Sequence, residues 1–243
     1  MKSLQQNFKD IEDEINFLKK KNNAIILSHF YQDEDIQDIA DFIGDSLDLS
    51  KKAQKNDSDV IVFCGVRFMA EVAKILSPHK KVILPDINAG CSLEESCQVN
   101  EFREFKKKYP NHIVLSYINC SAEIKAESDI IVTSSNAGKI IESMPAKQKI
   151  IFAPDKHLGG YLNKITGRDM VLWNGTCIVH ETFSEKELIK MKVRTDDAKI
   201  IAHPECPPDV IRASDFTGST SGMIKYVNDK QPEKVMMVTE CSM

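Results

Sequence analysis

Hydrophobic positions along the chain follow two periods. Leu4, Phe8, Ile11, Ile15 and Leu18 recur every three or four residues, which predicts an amphipathic helix over the first twenty residues, ending near Asn22 and Asn23. From residue 24 onward short β-branched runs take over: AIILS, DVIVFC, KVILP, HIVLSY, DIIVTS, KIIFAP, KIIAH and KVMMVT. Helix-like stretches such as DIQDIADFIGDSLDLSKKAQ, FMAEVAKIL and AGKIIESM separate them. Continuous apolar strands alternating with helices predict an α/β protein with parallel sheets buried on both faces.

The runs also repeat. The first copy reads AIILSHFYQ, SDVIVFCGVRFMAEVAKIL and KKVILPD; the second reads HIVLSYINCSAEIKAE, SDIIVTSSNAGKIIESM and QKIIFAPD. The third reads KIIAHPECPPDVIRA, SDFTGSTSGMIKYV and EKVMMVTE. The predicted organisation is an N-terminal helix (1–23) followed by three α/β units spanning 24–100, 101–185 and 186–243. In this alignment Asp86, Asp155 and Glu240 are the acids that close the third strands, with Asp155 ion-paired to Lys156. The third unit reaches Met243 without a closing helix, so a further C-terminal segment is expected.

Ligand-facing groups of parallel α/β units collect beyond the carboxyl ends of the strands. Those positions hold His29, Tyr31, Tyr117, Asn119, His203 and Glu205, then Gly65, Ser134, Ser135, Gly218, Ser219 and Thr220. His203 and Glu205 stand two residues apart on an extended segment, which reads either as an acid–base pair or as a salt-bridged surface pair. Gly218 to Ser221 precede a helical run and read either as an anion site at a helix N-terminus or as a plain N-cap. His180, three residues after Cys177, either orients the cysteine loop or reaches the site itself; Trp173 reads as packing.

Charge narrows the partners. With 32 basic and 36 acidic side chains the net charge is −4, and no basic stripe exists to neutralise a phosphate backbone, so nucleic acid is excluded as a partner. No apolar run is long enough to span a bilayer, and the first residues lack the apolar core of a signal peptide; a cytoplasmic protein without a membrane partner is expected. Seven cysteines without a CxxC spacing then fit reduced thiols or metal ligands. Cys91 and Cys177 each follow an Asn-and-Gly turn (NAGC, WNGTC), and thiolates from equivalent loops of a repeat suit an iron–sulfur cluster better than a structural zinc, which takes close cysteine pairs. Buried thiols are the other reading of these two and the preferred one for Cys64, Cys97, Cys120 and Cys206. The repeat calls for a third cysteine just after Glu240, where Cys241 stands in a different register.

LSHFYQ, GDSLDLS, CGVRFMAE, NAGCSL, SYINCSAEIKAESDIIVTSSNA, FAPDKHLG, WNGTCIVHE, AHPECPPDV and GSTSGMIKYV, in that order, closely resemble the quinolinate synthase family. The resemblance implies three pseudo-threefold α/β/α units around a central cavity, the third incomplete here. It implies a transferase of NAD biosynthesis that condenses iminoaspartate with dihydroxyacetone phosphate to quinolinate, phosphate and water. The cofactor it implies is a [4Fe-4S] cluster acting as Lewis acid, with Cys91 and Cys177 as ligands and a third ligand in a motif beyond this chain. Substrate contacts carry over to His29, Ser46, Tyr117, Ile118, Asn119, Ser134, His203, Pro204, Glu205, Ser219 and Thr220, and acid–base roles to Glu205, His203, Tyr31 and His29. An aspartate-oxidising enzyme is the implied source of iminoaspartate. Two other classes use the same thiols: another cluster-dependent hydro-lyase on a small hydroxy acid, and a non-catalytic metal or redox sensor.

Overall fold

The computed structural model describes residues 8–240, which gather into two compact units, 8–89 and 90–240. The strands are β1 (Ala24–His29), β2 (Phe42–Gly44), β3 (Val60–Cys64), β4 (Lys81–Ile83), β5 (Ile113–Tyr117), β6 (Ile130–Val132), β7 (Ile150–Ala153), β8 (Val171–Leu172), β9 (Lys199–Ala202), β10 (Phe216–Thr217) and β11 (Val235–Val238). They form three parallel sheets ordered β2-β1-β3-β4, β6-β5-β7-β8 and β10-β9-β11. The α/β class read from the sequence is therefore what the chain adopts. Central strands β1, β7 and β9 are buried nearly throughout, as parallel strands covered on both faces must be.

The order first-strand-central recurs in all three sheets, and it corrects the alignment of the first repeat. The stretch 35–54, read as helical, contains helix Glu34–Asp38, strand β2 and helix Ser46–Lys55. Strand β2, not β3, is the counterpart of β6 and β10. One device marks the equivalence. Asp41, Asp129 and Asp215 each accept from the strand amide fifteen residues earlier (Ile26 at 2.7 Å, Val114 at 2.7 Å, Ile200 at 2.9 Å). Each returns its own amide to the same residue's carbonyl, at 2.9, 3.0 and 2.8 Å. The Asp side chain thus continues the ladder at the point where the second strand begins. The error arose because β2 has only three residues and because Ser58-Asp59 ahead of β3 mimics the Ser-Asp pairs ahead of β6 and β10.

With the register corrected, β4 and β8 are the fourth strands, and the cysteine loops NAGC and NGTC both follow them. Asp86 follows a fourth strand and is no counterpart of Asp155, which follows the third strand β7. His29, Tyr117 and His203 become equivalent, as do Tyr31, Asn119 and Glu205, and Ser46, Ser134 and Thr220. The N-terminal helix is shorter than its period predicts. Asp10 caps it by accepting from the Asp13 amide at 2.9 Å, so it runs Ile11–Lys21, and Phe8 packs on Phe17 outside it. Residues 1–7 of that expected helix lie outside the described residues.

Asp129→Ala and Asp215→Ala should each lower unfolding stability by about 1 kcal/mol, because each leaves a strand amide without its acceptor. Urea midpoints at unchanged slope would show it; midpoints equal to wild type would mean water replaces the carboxylate at no cost.

Candidate functional site

All groups in this site belong to the unit 90–240. Cys91 and Cys177 occupy matching local structures. Each is the residue before a four-residue helix, Ser92–Glu95 and Ile178–Glu181, and each carbonyl accepts from the amide four residues on, at 3.0 and 2.9 Å. The loops are joined directly: the Ile178 amide donates to Ser92 Oγ at 3.1 Å. Trp173 Nε1 donates to the Ser96 carbonyl at 3.0 Å while its ring packs edge-on against Phe102 and Phe105, so Trp173 is indeed a packing residue. Gly175 permits this approach. A Cβ there would sit 2.3 Å from Ser96 Oγ and 2.5 Å from the Pro154 carbonyl oxygen, so any other residue forces the loops apart.

Both thiols are half-buried, whereas Cys97, Cys120 and Cys206 are buried in apolar clusters, and Cys64 is half-buried in the other unit. Burial pushes the Cys91 thiol up to about 12; the Glu94 and Leu93 amides oppose the shift, and the nearby charges of Cys177 and Glu205 add to it. Two converging thiols are a donor set suited to a cationic metal centre. Cys206 donates its S–H to the Val238 carbonyl at 3.4 Å. Cys241 lies outside the described residues.

Beside the thiols is a buried polar cluster. His203 and Glu205 are 4% and 3% exposed, which rules out the surface-pair reading. Glu205 Oε2 lies 3.3 Å from His180 Nδ1 and Oε1 lies 3.5 Å from His203 Nδ1, and the Tyr117 hydroxyl also bonds the carboxylate. Burial alone would raise Glu205, but His180, His203 and Tyr117 outweigh it and hold the carboxylate ionised. Burial opposes the charged form of His180 too, yet Glu205, with Cys177, carries it up to about 10. His203 is taken down to about 4 by burial and stays neutral. His180 thus reaches the site, and its Nε2 is 3.1 Å from Thr239 Oγ1.

Asp155 was misjudged from the sequence. Fully buried, it caps helix Lys156–Thr166 by accepting from the Leu158 amide at 2.6 Å rather than pairing with Lys156, and its Oδ2 has no hydrogen-bond partner among the described residues. Burial and the charge of Glu205 raise it well above the usual carboxylate range. Thr239 and Ser92 are not singled out by the sequence, where their one signal is a place beside a strand end and a cysteine.

The remaining predicted positions sit as follows. Ile118 and Pro204 are buried, and Asn119 and Ser134 are half-buried beyond β5 and β6. Ser219 caps helix Thr220–Lys230 by accepting from Gly222 at 3.3 Å, with Thr220 its first residue. In the other unit His29 and Ser46 are buried, the His29 and Tyr31 rings stand 4.3 Å apart, the Tyr31 amide donates to His29 Nδ1 at 3.3 Å, and burial takes His29 down to about 4.

Asp155→Asn keeps the cap and removes the charge. A carboxyl whose folded pKa is raised costs stability as pH climbs above its unfolded value. From about pH 4 upward the variant should therefore gain on wild type by up to about 1.4 kcal/mol per pH unit, until Asp155 ionises in the folded state. Paired urea titrations from pH 4 to 8 test this; a difference independent of pH would show Asp155 ionising normally.

Comparison with known proteins follows the same outline. The sequence profile of the quinolinate synthetase A protein (NadA) matches residues 13–243. A quinolinate synthase from Trichodesmium erythraeum is 56% identical over 241 residues, covering 98% of this chain and 75% of that one. One from Chloroherpeton thalassium is 59% identical over 231 residues, covering 95% and 72%. Among solved structures, the E-1-hydroxy-2-methyl-but-2-enyl-4-diphosphate reductase of Plasmodium falciparum aligns over 90% of this chain and 74% of that one, with 16% identity and a TM-score of 0.36. No argument is drawn from so loose a likeness. No described helix is long and apolar enough to cross a membrane. The chain belongs to the quinolinate synthetase A family.

Proposed function

We propose that the chain is a cytoplasmic quinolinate synthase, condensing iminoaspartate, supplied by an aspartate-oxidising enzyme, with dihydroxyacetone phosphate to quinolinate, phosphate and water. The observation that carries this reading is the stapling of the two cysteine loops next to a buried, ionised Glu205. Cys91 and Cys177 would hold a [4Fe-4S] cluster. When bound, it supplies an iron with an open position, a Lewis acid for a substrate carboxylate, nitrogen or departing hydroxyl. The third thiolate that the family reading calls for is sought outside the described residues.

The chain's own groups do the rest. Glu205, ionised and flanked by two imidazoles, accepts a proton at a carboxylate oxygen and returns it to a leaving hydroxyl, with His203 neutral alongside. Tyr117 keeps the carboxylate oriented from its hydroxyl. The Ser219 and Thr220 hydroxyls and the first amides of Thr220–Lys230 offer donors for a phosphate or carboxylate, with Asn119 and Ser134 as further donors at strand ends; Ile118 and Pro204 line the same ends. His29, Tyr31 and Ser46 are included because they hold the repeat positions equivalent to Tyr117, Asn119 and Ser134.

Glu205→Gln preserves shape but not basicity. In anaerobically reconstituted protein it should retain iron and sulfide while quinolinate formation falls by about 100-fold or more. A wild-type rate would reduce Glu205 to a structural residue. Cys91→Ala should instead lose the broad visible iron–sulfur absorption; full iron and labile sulfide in that variant would remove Cys91 from the ligand set.

A further inference from the structure

Cys177 Sγ, His180 and Glu205 offer donor atoms that all lie within 4.8 Å of one another, and His180 and Glu205 are buried. We propose that, when the cluster is absent, these three side chains bind a single zinc-type divalent cation with its fourth position open, and that this occupation blocks cluster assembly because Cys177 cannot serve both. Only the competition rests on the cluster reading; the zinc site stands on its own geometry.

The geometry is that of a prepared site. A tetrahedral zinc with arms of about 2.1 Å has edges of about 3.4 Å between its ligands, and His180 Nδ1 and Glu205 Oε2 are 3.3 Å apart. Among the described residues His180 Nδ1 makes no well-aligned hydrogen bond, although His180 is only 5% exposed. The ring is already oriented from behind, since Nε2 meets Thr239 Oγ1 at 3.1 Å, the supporting contact that ligating imidazoles use. Glu205 is held likewise by His203 and Tyr117 on its other side. Mixed sulfur, nitrogen and oxygen donors suit zinc and exclude calcium or magnesium, which take oxygen alone. Three protein ligands and an open fourth position match a reactive rather than a structural zinc. On binding, the metal takes Cys177 as a thiolate and His180 as a neutral imidazole, so each metal–ligand bond replaces whatever proton that sulfur or nitrogen carried. Any proton displaced passes to solvent, and no electron moves.

The test uses the cluster-free full chain, stripped with a chelator and kept anaerobic. Zinc(II) should bind at one per chain, and cobalt(II) in its place should give a thiolate-to-cobalt charge-transfer band with intense tetrahedral ligand-field bands. Cys91→Ser should keep the zinc, while His180→Ala should weaken it by about 10-fold or more. Zinc-loaded protein should fail to assemble a cluster until the chelator removes the metal. Equal zinc affinity in His180→Ala, loss of zinc in Cys91→Ser, or a weak octahedral cobalt spectrum would each overturn the proposal. Should His180→Ala not fold, the wild-type cobalt spectrum and an about 10-fold weaker zinc affinity in Thr239→Val decide the matter. A Cys91→Ser protein that still assembled a cluster would sink the cluster reading and leave the zinc site untouched.

Discussion

The hydrogen bond from the Ile178 amide to Ser92 Oγ joins two loops eighty-six residues apart in sequence, and the site in this unit depends on it. Each loop brings a cysteine at the mouth of a four-residue helix too short to be stable alone. Their placement comes from contacts between the loops: the staple, the Trp173 indole on Ser96, and Gly175 pressed between Ser96 and Pro154. The thiols converge because backbone, not side-chain reach, has been brought close.

That convergence has an electrostatic cost, and the neighbouring cluster shows how it is met. Burying an isolated carboxylate such as Glu205 costs several kcal/mol, and removing one partner of a buried ion pair typically costs about 3–5 kcal/mol. Glu205 is therefore supplied with two imidazoles and a phenol, while Asp155 is raised well above the usual carboxylate range by burial and by the charge of Glu205. Two acids near one another are thus pushed in opposite directions, one held ionised by its partners and the other raised. The groups that make the buried Glu205 charge tolerable also fix the orientation of its carboxylate.

Much of this was legible in the residues. The β-branched runs fall on strands, and the repeat identified the strand ends His203, Glu205, Tyr117 and Asn119 as chemistry-bearing. Sequence alone misplaced the first repeat by one strand, because β2 is three residues long and is hidden in a helix-like run. It also pairs Asp155 with Lys156, since an Asp before a Lys carries no sign of burial. Thr239 and Ser92 could not have been found, because their roles exist only as contacts across 59 and 86 residues of chain.

The central claim, that the stapled loops present Cys91 and Cys177 to one iron–sulfur cluster, is tested most directly by diffraction from anaerobically reconstituted crystals at wavelengths on either side of the iron absorption edge. The account predicts one compact anomalous iron peak continuous with the density of both sulfur atoms, with the Ser92–Ile178 bond intact. Iron density bonded to neither thiol, or to only one of them, would contradict it.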